Sequence, residues 1–188
     1  MTLLTLKNKF LKGNGLLQSL LLVVTILSFT SCAEDETERF FFDAEAQKVK
    51  DEEAIRKYFR DNDVDTTAVV RTQSGLYYLE VSEGEGEEIQ EGNTIEVHYI
   101  GRYTNNLIFD SSYNRGKSFV FDVQESSVEN GVSKPGVIKG WVEGLQLMKV
   151  GGEGFLYVPS HLAYGPYGNG SVPPSAVLVF NIEVLSKK

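Results

Sequence analysis

The sequence predicts an α+β fold, in which an antiparallel β-sheet wraps around one short α-helix. Short β-type runs bounded by glycines recur from residue 75 onward, which is typical of strands joined by tight turns. One amphipathic run, 141–148, interrupts them with the three- and four-residue spacing of a helix. The 188 residues leave room for one domain of about 100 residues once the N-terminal segments are set aside.

The first 31 residues have the composition of a secretory signal peptide. They contain Lys7, Lys9 and Lys12 but no acidic residue, and an apolar run from Leu16 to Phe29 follows. Because this run is shorter than the roughly 20 residues that cross a bilayer, a permanent transmembrane helix is the weaker alternative. We therefore expect residues 1–31 to be a signal peptide and the protein to be exported.

Cys32 is the only cysteine of the chain, so no intrachain disulfide can form. Its position directly after Ser31 resembles a bacterial lipobox, which implies a lipid anchor on the Cys32 thiol; the alternative is an ordinary signal peptide with an incidental cysteine. Acidic residues follow at once and indicate a tether over 32–43. Their charge either stays solvated or serves as a sorting signal.

An N-terminal helical extension is predicted over 44–74. Good helix formers fill 44–62, Asp43 suits the N-cap, and Ile55, Tyr58 and Phe59 share one face with Ala54. An isolated helix would be marginal in water, so this face should pack on the domain or on a second copy of the chain. The narrowness of the apolar stripe favours the domain.

The predicted domain spans residues 75–188. Strands are expected at 75–81, 94–103, 119–121, 154–158 and 177–185. Between them, Trp141, Leu145 and Met148 share one face of the predicted helix, which should lie across the sheet. The polar, turn-rich segment 124–136 is predicted to be a loop.

Charge and motif spacing argue against several classes of function. Without the three lysines of the leader, 15 of the 18 basic residues remain against 26 acidic residues, a balance of −11 that argues against a nucleic-acid partner. His98 and His161 are the only histidines and have no metal-ligand spacing. The glycines at 84 and 86 precede acidic residues rather than a helix that could bind phosphate. We expect no metal and no cofactor.

Widely spaced aromatic residues indicate one apolar pit with an acidic edge. Trp141 is the only tryptophan, and Tyr99, Asp110 and Tyr164 are distant from it in sequence, so the four can meet only through the fold. No nucleophile elbow accompanies them. A pit of this kind would bind an apolar group.

The motifs that carry these residues resemble, in order, those of the FK506-binding-protein class of peptidyl-prolyl isomerases. They are Val-His-Tyr-Ile-Gly at 97–101, Phe-Asp-Ser-Ser at 109–112, Val-Ile-Lys-Gly-Trp-Val-Glu-Gly at 137–144, Ala-Tyr-Gly at 163–165 and Val-Pro-Pro-Ser-Ala-Val-Leu-Val-Phe at 172–180. Any one could arise by chance, but the ordered series over roughly residues 75–185 is specific. The resemblance implies the same α+β fold and makes 75–188 an isomerase domain.

The resemblance also implies which residues act. Tyr99, Asp110, Trp141 and Tyr164 would be catalytic, with Trp141 as the floor under the prolyl ring and the Tyr164 hydroxyl reaching the substrate backbone. The substrate-binding residues would be Phe109, Arg115, Phe119, Val137, Ile138, Val172 and Phe180, with Arg115 near Asp110. Taken singly, the aromatic residues could belong to an ordinary core, and residues 110–112 could be a turn or a helix cap.

The chain departs from the family pattern at two places beside the pit. Gly136 stands where many relatives carry a glutamate, so a main-chain contact can be carried over but a carboxylate contact cannot. Segment 124–136 is several residues longer than in compact members, and 165–172 is one residue shorter. We interpret segment 124–136 as an insertion at the rim of the pit.

The expected function is prolyl cis-trans isomerisation that assists the folding of exported proteins at the bacterial envelope. Rotation about an X-Pro bond requires no covalent intermediate and no metal, only an apolar cleft and suitable dipoles. The expected partners are X-Pro-containing polypeptides and, through Cys32, the membrane. The alternatives are a peptide-binding chaperone module with little turnover and a part in a surface machine such as one for gliding motility.

Overall fold

Residues 42–129 and 131–188 are described by the computed structural model of the protein. The predicted signal peptide, Cys32 and residues 33–41 of the predicted tether lie outside the described residues. None of the described helices is both long and apolar enough to cross a membrane.

Helix α1 runs over Ala44–Asp61, which confirms the predicted N-terminal helix. Asp43 caps it, because its Oδ1 accepts hydrogen bonds from the backbone N–H groups of Glu45 (3.1 Å) and Ala46 (2.9 Å). The helix packs on the sheet of its own chain through Ile55, Tyr58 and Phe59. Burying side chains of this size stabilises the docked helix by about 1.5–3 kcal/mol each.

Seven strands of the described residues form one antiparallel sheet. They are β1 Val69–Arg71, β2 Tyr77–Ser82, β3 Thr94–Tyr103, β4 Ile108–Ser111, β5 Phe119–Asp122, β8 Glu153–Val158 and β9 Leu178–Lys187. The strand order is β1-β2-β8-β9-β3-β4. Strands β4 and β5 pair with the same edge of β3, β5 along its first half and β4 along its second half. Strand β3 therefore connects the long strands of the sheet with both short strands beside the cavity described below.

Segment 124–136 contains a β-hairpin, so the prediction of a loop there was wrong. Strands β6 (Ser127–Glu129) and β7 (Val132–Lys134) pair with each other and stand apart from the main sheet. Each strand has only three residues, and its apolar members are solvent-exposed. No alternation with a buried face marks such strands in sequence.

Helix α2 runs over Lys139–Leu145, two residues earlier than predicted at its start and three earlier at its end. After Leu145 the chain tightens into i→i+3 hydrogen bonds, and Met148 N–H donates to Leu145 O at 3.0 Å. Two glycines let the helix lie close to the sheet. A Cβ on Gly140 or Gly144 would stand 2.5 Å from Val158 or Leu156, respectively.

The sheet is covered on both faces. Alternate residues of β8 show this, because Leu156 and Val158 belong to the core under α2, whereas Phe155 and Tyr157 pack with α1 on the opposite face. The two cores explain why residues 155–158 of β8 and 178–180 of β9 appear as continuous apolar runs rather than as alternating ones. The N-terminal helix is thus packed on the domain.

Candidate active site

A cavity of about 500 Å³ opens between α2, strands β3–β5, the start of β9 and the chain that follows β8. It is lined by Tyr99, Phe109, Asp110, Phe119, Glu125, Ser126, Gly136, Val137, Ile138, Lys139, Trp141, Ala163, Tyr164, Asn169 and Phe180. Nine of these are among the eleven residues predicted for the site. Residues from five separate motifs therefore surround one apolar hollow.

Trp141 lies in the first turn of α2, with 4% of its surface exposed. Its ring packs edge-on against Tyr99 (centroids 5.1 Å apart) and Phe180 (5.2 Å), an arrangement that aromatic pairs prefer. Within the described part of the chain, its Nε1 is the one buried side-chain polar atom without a hydrogen-bond partner. The indole is thus buried at the base of the cavity among aromatic side chains.

Tyr99, Asp110 and Arg115 form a closed hydrogen-bonded group at the polar edge of the cavity. The Tyr99 hydroxyl donates to Asp110 Oδ2, and Arg115 Nη1 donates to Asp110 Oδ1. Arg115 Nη2 also donates to Tyr99 Oη at 2.9 Å, and its guanidinium carbon lies 5.2 Å from the Tyr99 ring centroid. The carboxylate charge is thus balanced and its orientation fixed.

The environment of Tyr99 keeps its hydroxyl protonated. Burial raises the pKa of Tyr99 to about 12, and the hydrogen bond to Asp110 acts in the same direction. Tyr99 is therefore a neutral donor across the physiological range, and the edge it shares with Asp110 and Arg115 carries no net charge.

Tyr164 enters the cavity from a different element. It follows β8, Pro159 and a single 3-10 turn over Ser160–Leu162. Burial, and then the negative charge of Asp110, raises the pKa of Tyr164. Its hydroxyl has no hydrogen-bond partner among residues 42–129 and 131–188, so this donor is free to contact an occupant of the cavity.

Two phenylalanines form an apolar wall over strand β3. The rings of Phe109 and Phe180 meet edge-on with centroids 5.7 Å apart. They lie directly over Gly101, where an added Cβ would stand 2.7 Å from Phe109 Cζ and 3.0 Å from Phe180 Cε1. The glycine of the 97–101 motif is thus required because two cavity walls occupy the space above it.

Two of the predicted substrate-binding residues do not line the cavity. Arg115 instead forms hydrogen bonds to Asp110 and Tyr99, which do line it. Val172 is 6% exposed and packs in the core, whereas Asn169 of the same loop lines the cavity. The backbone between Asn169 and Val172 explains this, since each N–H donates to the other residue's carbonyl at 2.9 Å and closes a tight turn.

The base of the β6–β7 hairpin forms one wall of the cavity, at the place where segment 124–136 was interpreted as a rim insertion, but Glu125 and Ser126 were not predicted as site residues. Glu125 and Ser126 line the cavity beside Gly136, and Glu125 forms a parallel bridge with Val137. A Cβ on Gly136 would stand 2.4–2.6 Å from backbone atoms of residues 124–126. The sequence feature that points to this wall is Gly136, which stands directly before Val137 and Ile138 at the end of the long insertion.

The two histidines make local contacts outside the cavity. His98 Nδ1 lies 3.0 Å from Ser112 Oγ, and its ring stacks on Tyr113. His161 Nε2 lies 3.0 Å from the Ser74 carbonyl oxygen. Among the described residues, no group of three or more His, Cys, Asp or Glu side chains could hold a metal ion.

The fold agrees with comparisons to known proteins. A model of the FKBP-type peptidyl-prolyl cis-trans isomerase family matches residues 85–185, and the chain belongs to this family. Over 118 residues the chain is 41% identical to the FKBP-type peptidyl-prolyl cis-trans isomerase FkpA of Aeromonas hydrophila. This alignment covers 63% of this chain and 40% of that protein. The family and the α+β fold expected from the motifs are thereby confirmed.

Solved structures show the same fold. The crystal structure of FkpA from Escherichia coli superposes with a TM-score of 0.61 at 32% identity, over 91% of this chain and 70% of that one. The peptidyl-prolyl cis-trans isomerase of Pseudomonas syringae pv. tomato gives a TM-score of 0.59 at 27% identity, over 78% of this chain and 96% of that one. The chain spans about half the length of the curated relatives it matches.

Proposed function

We propose that this protein is a peptidyl-prolyl cis-trans isomerase that acts on X-Pro bonds of exported polypeptides. The observation that carries the proposal is the cavity of about 500 Å³ with Trp141 at its base, the Tyr99–Asp110–Arg115 group at one edge and the Tyr164 hydroxyl, which has no hydrogen-bond partner among the described residues. Its aromatic walls suit a pyrrolidine ring. Membership of the FKBP-type family supports the same reaction.

The reaction has to overcome the resonance of the amide bond. Rotation about an X-Pro bond meets a barrier of about 18–20 kcal/mol, because the perpendicular state loses the partial double bond. The perpendicular amide is less polar than the planar one, so removal of water from its carbonyl favours the twisted state. A cavity built from Phe109, Phe119, Val137, Ile138 and Phe180 provides that environment.

The polar groups at the rim act by position rather than by proton transfer. The Tyr164 hydroxyl donates to a backbone carbonyl of the substrate and holds one side of the bond while the prolyl side turns over Trp141. Asp110 presents an oriented carboxylate toward the amide, and Arg115 balances its charge. Because the raised pKa of Tyr99 keeps it protonated, this arrangement does not change near neutral pH.

A protease-coupled assay on a cis X-Pro peptide tests this proposal directly. Trp141→Ala and Tyr164→Phe should each lower kcat/KM by about tenfold or more, in keeping with the loss of a positioned contact. Tyr77→Phe is the matched control, since Tyr77 packs with α1 on the opposite face of the sheet. Wild-type protein that is folded and binds the peptide but gives no rate above background would refute the isomerase.

That last outcome would favour a chaperone module that binds peptides with little turnover. One observation supports this alternative: Val128 and Val132 of the hairpin are 74% and 65% exposed, and Tyr167, three residues after Tyr164, is 89% exposed. Exposed apolar side chains of this kind suit contacts with unfolded chains. Suppression of aggregation of a denatured client, measured beside the rate assay, separates the two functions.

We also propose that the protein is exported and anchored at the bacterial envelope through a lipid on Cys32. The basic and apolar leader and the lipobox-like position of Cys32 support this. The intact mass of the protein from a membrane fraction tests it, since a diacylglycerol group on the thiol adds a defined mass. An unmodified mature protein in the soluble fraction would refute the anchor and leave the isomerase proposal unaffected.

A further inference from the structure

A buried carboxylate joins the N-terminal helix to the chain that delivers Tyr164. Asp51 is 2% exposed and occupies the buried face of α1, one turn before Ile55. Its Oδ2 accepts hydrogen bonds from Ser160 N–H (2.8 Å) and Ser160 Oγ (2.7 Å), and its Oδ1 accepts from Gln47 Nε2 (2.7 Å). No Lys, Arg or His of the described chain forms an ion pair with it.

Packing alone does not account for an aspartate at this position. The other buried members of the stripe, Ile55, Tyr58 and Phe59, are apolar or aromatic, and an aliphatic residue at position 51 would continue their surface. Burial of a carboxylate without a cation is unfavourable unless its oxygens are fully hydrogen-bonded. The specific contribution of Asp51 at this position is therefore its two hydrogen bonds from Ser160.

Ser160 requires such a partner because of the residue before it. It opens the 3-10 turn, and the first N–H groups of a helical turn have no partner within the turn. The N-cap position is Pro159, whose side chain cannot accept a hydrogen bond, and no side chain of the turn caps it. Asp51 supplies that cap from another helix, across 109 residues of sequence.

The capped turn leads directly into the cavity. Ala163 N–H donates to Ser160 O at 3.0 Å, and Ala163 and Tyr164 line the hollow. Because no hydrogen bond within the described chain holds the Tyr164 hydroxyl, the position of that ring depends on its backbone and its packing. A displacement of Ser160 is therefore passed to Tyr164 within four residues.

A second contact fixes the same turn to the helix that carries Trp141. His161 Nε2 lies 3.0 Å from Ser74 O, and Ser74 Oγ donates to both carboxylate oxygens of Glu143 in α2 (2.7 and 2.9 Å). The Tyr164 segment is thus tied to α1 through Asp51 and to α2 through Ser74. These two ties place the phenol relative to the indole.

We propose that Asp51 is a positioning residue for Tyr164, and that the N-terminal helix is part of the scaffold of the active site. The proposal rests on the proposed isomerase function for its kinetic consequence. In this proposal α1 has two roles: its apolar stripe docks the helix on the sheet, and Asp51 positions the chain that carries Tyr164.

Three variants in the full chain separate positioning from stability. Asp51→Ala removes both bonds to Ser160 and should lower kcat/KM about tenfold. Asp51→Asn keeps an acceptor oxygen toward Ser160 and can meet Gln47 by rotation of the two amides, so it should retain at least a third of the activity. Phe59→Leu disturbs the same helix at its contacts with Tyr77 and Tyr157, and should lower the unfolding midpoint while kcat/KM stays within twofold.

Backbone amide chemical shifts provide a readout that loss of stability alone would not change. The signals of Ala163 and Tyr164 should move in Asp51→Ala and stay near their wild-type positions in Phe59→Leu. Folded Asp51→Ala protein with wild-type signals at these residues, or with kcat/KM within twofold of wild type, would overturn the proposal. So would Phe59→Leu protein that loses as much activity as Asp51→Ala.

Two further outcomes are covered by the same design. If Asp51→Ala does not fold, Ser160→Ala removes only the hydroxyl contact and should lower kcat/KM about threefold; wild-type activity in that variant would overturn the proposal. If the wild-type protein has no isomerase activity, the proposed function fails, and the amide shifts of Ala163 and Tyr164 still decide whether Asp51 positions them.

Discussion

Replacement of Gly136 by alanine tests whether the base of the β6–β7 hairpin is a wall of the active site. The Cβ of the new side chain would stand 2.4 Å from Gln124 O, 2.5 Å from Glu125 C and 2.6 Å from Ser126 N. All three are backbone atoms, which cannot turn away as a flexible side chain can. The two chain segments at the hairpin base, 124–126 and 136–137, must therefore separate.

The size of the effect follows from these distances. An ordinary contact begins near 3.4 Å, so the backbone has to move by about 1 Å. Overpacking of this kind costs about 1–3 kcal/mol, and the stiffer unfolded chain of an alanine variant returns about 0.4–1 kcal/mol. The hydrogen bond from Val137 N–H to Gln124 O (2.9 Å) lies in the displaced region. We expect a net loss of about 1–2 kcal/mol.

The catalytic consequence should be larger than the loss of stability suggests. Val137 and Ile138 follow Gly136 directly and line the cavity, so a shift of about 1 Å misplaces two walls. Misplacement of this size can lower a rate by as much as about a hundredfold. We expect kcat/KM in the protease-coupled assay to fall about tenfold, with stability measured in parallel by urea unfolding.

Gly131→Ala is the matched control. Gly131 has a φ of +78° and no atom within 4 Å of an added Cβ, so alanine there costs about 1–2 kcal/mol through backbone strain without a clash. The two variants should lose similar stability, but only Gly136→Ala should lose activity. The reasoning is refuted if Gly136→Ala stays within twofold of wild-type kcat/KM, or if both variants lose activity equally.

The remaining predictions concern the buried tyrosines. Tyr99→Phe removes the hydroxyl that Asp110 and Arg115 share, so kcat/KM should fall about tenfold. The control variant Tyr77→Phe should stay within twofold of wild type. Equal losses in the two variants would contradict the catalytic role of Tyr99. Burial raises the pKa of both Tyr78 and Tyr99 to about 12 from 10.0, so the unfolded chain releases these protons first. The free energy of unfolding should therefore be unaffected by these groups below about pH 10 and should fall between about pH 10 and 12. Urea unfolding at stepped pH checks this, and constant stability across that window would contradict it.

The sequence predicted the long strands well because their side chains alternate or are continuously apolar. Strand β3 occupies the predicted residues 94–103, and its burial alternates along most of its length. Strands β1 and β4 were not predicted, since they have three and four residues and exist only through pairing with a neighbour. The same reason explains the β6–β7 hairpin, where a loop was expected.

The candidate site was predictable where a motif specifies a side chain, and not where the backbone determines its direction. Tyr99, Asp110, Trp141 and Tyr164 line the predicted cavity together. Their catalytic roles stay predictions. Asn169 lines the cavity and the predicted Val172 does not, because the turn between them decides which one points inward.

By itself the sequence determined the fold class, the family and most of the side chains around the cavity, because periodicity and ordered motifs are local properties. Only the tertiary structure decided that Asp51 caps Ser160 and that Gly136 lies against residues 124–126. Both contacts depend on how elements distant in sequence pack and pair. Helical periodicity at position 51 indicates a buried face but cannot say which hydrogen-bond donor that face will meet.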